Sequence, residues 1–152
     1  MIEDKRYGFR VDLPGVVSKR IDESDRQSPL AWRAYTSHSP GARPDAGFNA
    51  AVKVFETDST DSRALFAAGE NDASQSLGIT MIGRVDGRFG AAQLPSVTLS
   101  FQSGRDGAAD MVRATVLLVV KGRRIYEVTF AVNGADDHAA IRKRLFASFV
   151  VL

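Results

Sequence analysis

Over much of its length this chain alternates hydrophobic and polar residues with a period of two. Tyr7, Phe9, Val11 and Leu13 alternate with Gly8, Arg10 and Asp12, as in a strand with one face buried. Pro14-Gly15 ends that run, and Val16–Ile21 reads as a second short strand. Leu30, Trp32, Ala34 and Thr36 alternate with Arg33 and Tyr35. Phe48, Ala50, Val52 and Val54 alternate with Asn49 and Lys53. The polar stretches DESDRQSP and SHSPGARPDAG between these runs read as loops.

The period then changes. In DSTDSRALFAAGENDASQSL, the residues Leu65, Ala68, Asp72, Ala73 and Leu77 fall at helical spacing. Asp58, Ser59 and Thr60 offer starts and Gly78 a C-terminal stop. Gly69 weakens or breaks this helix, since glycine costs about 1 kcal/mol against alanine. Beyond it, ITMI is a short strand and GRVDGRFGAAQLP a glycine-rich loop. Val97, Leu99 and Phe101 start the next strand, and SGRDGAAD is a turn. The strand Ala114–Val120 is apolar on both faces, as suits a strand covered on each side. A turn at Lys121-Gly122-Arg123 leads into Ile125–Val132, where Tyr126, Val128, Phe130 and Val132 face one way, Glu127 and Thr129 the other. Asp136 and Asp137 open a last helix, with Ile141, Leu145 and Phe149 as its apolar stripe. Strands linked by short turns imply an antiparallel sheet, and two helices must cover it. The expected class is α+β in a single domain, a layered α/β/α sandwich.

Three segments sharpen this expectation. Phe9 to Pro14 has an aromatic residue followed by Leu-Pro, Arg124-x-Tyr126 lies on a late strand, and Phe146-x-Ser148-Phe149 closes the chain. In order and spacing the chain resembles the Mog1/PsbP-like superfamily. The resemblance implies the sandwich fold and a role in binding or assembly, and it transfers no catalytic residue.

Composition narrows the chemistry. The 152 residues include 20 basic and 18 acidic side chains, a net charge of +2, interspersed rather than clustered. Nucleic acid is therefore not the expected partner. The chain has no cysteine, which removes disulfides, thiol nucleophiles and Cys-based zinc sites. It has no apolar run long enough for a transmembrane helix. A soluble protein is expected, cytoplasmic or, after loss of a leader, periplasmic or envelope-associated.

The two histidines, His38 and His138, lack metal-ligand spacing. Ser37 and His38 are the one nucleophile–base pairing in view, and sequence neighbours rarely align for that work. His138 reads as a boundary residue against the sheet. Gly83, Gly87 and Gly90 lack phosphate-loop spacing. Glu23, Asp25, Asp58, Asp61, Asp106, Asp110, Asp136 and Asp137 read as caps and solvated turns. Lys121, Arg123 and Arg124 flank the hairpin turn, while Arg142, Lys143 and Arg144 lie on the last helix. Both groups suit an anionic partner surface. Trp32 and Tyr35 lie on opposite faces of one strand, so one is open to a protein contact. The expected function is a non-enzymatic module without cofactor or metal, binding another protein through Tyr35, His38, Arg123, Arg124, Arg142 and Lys143. Its alternative is a small-molecule or lipid carrier with a pocket between sheet and helix, followed by a histidine-dependent hydrolase.

Overall fold

The computed structural model describes residues 1–21, 31–41, 47–105, 108 and 110–152. Among them the chain runs β1 (Ile2–Asp4), β2 (Phe9–Val11), β3 (Val16–Ile21), β4 (Ala31–His38), β5 (Phe48–Glu56), α1 (Ser62–Leu77), β6 (Thr80–Phe89), β7 (Leu94–Ser103), β8 (Val112–Lys121), β9 (Arg124–Asn133), α2 (Ala139–Ser148) and β10 (Val150–Val151). Seven strands form one antiparallel sheet in the order β3-β4-β5-β9-β8-β7-β6, and β1, β2 and β10 form a second, three-stranded sheet. The expected loop DESDRQSP, most of the loop after His38, Asp106 in the turn after β7 and the side chain of Trp32 lie outside the described residues.

The large sheet has two buried faces, as the alternation requires. Phe48, Ala50, Val52 and Val54 of β5 join Tyr126, Val128, Phe130 and Val132 of β9 on one face. Val97, Leu99, Phe101, Val116 and Leu118 lie on the other, beneath Leu65 and Ala73 of α1. Glycine does not break α1. Asp61 caps its start by accepting from Arg63 N at 3.0 Å, and Gly78 ends it in the left-handed region at φ 64°. Gly69 instead lets the helix lie close on the sheet: a Cβ there would stand 2.6 Å from Ile125 Cδ1.

The expected α+β sandwich with helices on both faces is overturned. The chain is mostly β, and the face opposite α1 is covered by the small sheet with α2 beside it. The cause is local. The run from Tyr7 to Leu13 is not one strand, because the chain turns at Gly8, with φ 69° and its N–H bonded to Asp4 O at 2.8 Å. β1 thus folds back on β2, and β10 pairs with the other side of β2. Tyr7, Phe9, Val11, Leu13 and Phe149 fill the layer where a helix was expected.

A second correction concerns GRVDGRFG. Residues 83–89 are paired along β7 as part of the edge strand β6, with a register shift between Met81 and Gly83, and the expected loop is confined to the turn from Gly90 to Gln93. Strand pairing outweighs the local glycine preference for turns. Among the described residues, no helix is long and apolar enough to cross a membrane.

Candidate functional site

The segments around Phe9, Tyr126 and Phe149 meet in space. Phe9, Tyr126 and Phe149 have ring centroids 6.0 to 6.3 Å apart. Ser148 Oγ accepts from Asp12 N at 2.9 Å, and Tyr126 Oη donates to Tyr7 O. They build the junction between the two sheets, so their work is architectural.

Tyr35 belongs to the same junction. It is buried, with its hydroxyl donating to Asp4 Oδ2 at 2.8 Å. It is therefore not the open aromatic contact expected of it. Asp4 also accepts from Tyr7 N and Arg33 Nη1, each at 3.0 Å. The guanidinium carbons of Arg6, Arg33 and Arg124 lie 5.2 to 5.5 Å from the Tyr7 ring centroid.

The remaining expected site residues are dispersed. His38 is exposed at the end of β4, with Nδ1 3.0 Å from Ser39 O. Ser37 is buried, and adjacent strand residues point to opposite faces, so the two form no dyad. His138 sits at the start of α2, its ring edge-on to Phe48 and its Nδ1 3.8 Å from Asp136 Oδ2. Arg123 is exposed in the hairpin turn. Arg124 lies 3.8 Å from Glu56, and Arg142 4.0 Å from Asp137. Lys143 is exposed. Two of the four basic candidates thus face an acid of their own neighbourhood.

The arrangement with distinctive chemistry lies on the other face of the large sheet. Glu127 stands in the middle of the central strand β9, directly across from Lys53 on β5. Its residue is 2% exposed. α1 brings Asp72 near enough for its carboxylate to act on the Glu127 carboxyl. Lys53 Nζ reaches Asp72 Oδ2 at 3.3 Å and Ser76 Oγ at 3.2 Å. Burial first, and the Asp72 carboxylate second, push the Glu127 carboxyl up to about 9. At neutral pH it is therefore a neutral acid. Its Oε2 receives no hydrogen bond from any donor among the described residues.

Glu127, Lys53 and Ser76 help wall a cleft of about 330 Å³ between the sheet and the C-terminal end of α1. Thr129 and Asn49 add polar side chains to its lining, and Leu77, Ala51 and Ala131 add apolar ones. An acid with an unsatisfied oxygen inside a partly apolar cleft is equipped to take a hydrogen bond from a bound molecule. Among the described residues, no group of three or more metal-ligating side chains stands together. A second cleft of about 350 Å³ lies between α2 and Phe48, with Asp12 and Arg144 paired at 2.9 Å in its lining.

No protein-family profile matches the chain, and no curated protein matches it. Solved structures do match in fold. One is PA94 from Pseudomonas aeruginosa, described as a protein of unknown function and a candidate regulator. It shares 15% identity over 78% of this chain and 81% of its own, with a TM-score of 0.50. At that identity the likeness is one of fold.

Proposed function

We propose that this protein is a non-enzymatic binding module that takes a small ligand into the cleft between the large sheet and the C-terminal end of α1. The observation that supports this reading is the Glu127 carboxyl, buried in the cleft wall with an oxygen that meets no donor among the described residues. Burying an acid in this state opposes folding, and a bound hydrogen-bond donor relieves the penalty. The cleft combines apolar walls with few convergent polar groups, the usual build of a small-molecule site. Methyl-resolved NMR against a fragment library tests the reading. Binders are expected to shift the methyl signals of Leu77, Ala51 and Ala131. A library that yields no binder, or binders that move only signals remote from these methyls, would exclude it.

A second reading, binding of another protein, is favoured by a different feature. Ile82 and Val85 are 62% and 68% exposed on the edge strand β6. Exposed apolar side chains on a sheet edge favour strand-to-strand docking. The expected result is that Val85→Lys abolishes capture of a native partner and leaves the cleft ligand bound. Capture unchanged by Val85→Lys and by Ile82→Lys would rule this surface out.

A further inference from the structure

Glu127 and Lys53 line the cleft, and Asp72 stands behind Lys53 on α1, so two carboxyls and one ammonium meet there. Lys53 on β5 neutralises Asp72 on α1, with Ser76 as its other contact. Leu118 is the residue of β8 across from Glu127 and brings no charge. One ammonium thus serves two carboxyls: the Lys53 charge also acts on Glu127 through space, but burial and Asp72 outweigh it, and a proton keeps Glu127 neutral. Ionising both carboxyls takes a second positive charge, and Glu127 Oε2, which no donor among the described residues reaches, is the place for its N–H groups.

Resting on the ligand-binding reading above, we infer that the cleft recognises a primary alkylammonium group, which donates to Glu127 and displaces its proton. The alkyl part lies along Leu77, Ala51 and Ala131, and the side-chain oxygens of Thr129 and Asn49 lie in the same lining. The balance is simple. One ammonium enters, Glu127 ionises, one proton leaves to solvent, and the charge of the site is unchanged. A neutral alcohol or amide can fill the same space but supplies no charge to replace the proton. Ionising a buried acid without a counter-charge is strongly disfavoured, so discrimination follows from the charge and not from shape alone.

Such an ammonium has two sources, a small free amine or the lysine side chain of another polypeptide. Isothermal titration of the whole protein with n-butylamine, putrescine, Nα-acetyl-lysine methylamide and, as neutral control, n-butanol separates them. Titrations repeated in buffers of different ionisation enthalpy count the protons released. The expected result is near one proton released per bound amine at pH 7. Affinity is then expected to rise by up to about tenfold per pH unit between pH 7 and the Glu127 titration. Tighter binding of the lysine amide than of the free amines assigns the group to a polypeptide, and the reverse order to a small molecule. Glu127→Gln is expected to abolish the proton release and weaken amine binding roughly tenfold or more. Butanol binding as tightly as butylamine, or amine binding without proton release, would overturn the inference. Should fragments of other chemistry occupy the cleft while no amine does, the amine inference fails and the ligand-binding reading stands. If nothing occupies the cleft, both fail.

Discussion

The two faces of the large sheet each bury an acid, and they treat it in opposite ways. Asp4, at the junction with the small sheet, is 4% exposed and accepts from Tyr7 N, Arg33 and Tyr35 Oη. Glu127, beneath α1, is 2% exposed, stands within the field of another acid, and has an oxygen that no donor among the described residues reaches. A buried carboxylate surrounded by donors ties elements together. One held next to a second carboxylate works against folding and keeps its value only through what it binds. At nearly equal burial, the donors around each acid thus leave one satisfied and the other not.

Removing each acid is the sharpest way to test that difference. Asp4→Ala removes the buried acceptor shared by Arg33, Tyr35 Oη and Tyr7 N, and it is expected to cost about 3–5 kcal/mol. Urea unfolding at neutral pH measures it, and a loss below about 1 kcal/mol would place Asp4 outside the framework. Leu145→Ala probes the packing of the same face, where Leu145 is fully buried at 0% exposure. Its expected cost is about 2–5 kcal/mol.

Glu127→Gln has the opposite sign. The folded-state value near 9 lies well above the ordinary glutamate value of about 4.3. Between these values the folded chain holds a proton that the unfolded chain gives up, so stability falls as pH rises across this window. Glutamine removes the effect. No gain is expected at pH 4, and a gain of about 1–3 kcal/mol at pH 8. Unfolding curves at the two pH values decide it, and equal differences at both would mean that Glu127 does not titrate as a buried acid. Gly69→Ala should have the smallest effect. The better helix propensity of alanine is outweighed by the clash with Ile125, for a net loss of about 1 kcal/mol. A gain in thermal stability would show that α1 can move off the sheet.

Much of this architecture is legible in the alternation and spacing of residues. The strands from Phe48 onward, the stop at Gly78 and the stripe with Leu145 are short-range patterns, and the fold uses them. The small sheet is not legible. Its strands Ile2–Asp4, Phe9–Val11 and Val150–Val151 are too short to carry a period, and β10 pairs with residues from the other end of the chain. The glycines of β6 read as a loop because pairing with β7 is a long-range event. The acid site left one trace. Asp72 falls on the apolar spacing of α1, and Glu127 interrupts a strongly apolar strand. Two acids at positions that periodicity assigns to buried faces are a signal, but neither period tells which helix residue covers which strand residue. The basic candidates, chosen for charge alone, carried no such positional constraint.

The pairing of Val150 and Val151 with Arg10 and Phe9 also governs how the molecule comes into being. During synthesis Phe9 emerges well before the strand that flanks it and before Phe149, which packs on it. The α1 face can assemble from residues made by then, whereas the aromatic junction must wait for Phe149 to Val151. A ribosome-bound chain therefore exposes Tyr7, Phe9 and Val11 throughout elongation, and a prematurely terminated product displays the same apolar surface to the chaperones and proteases that sort incomplete chains.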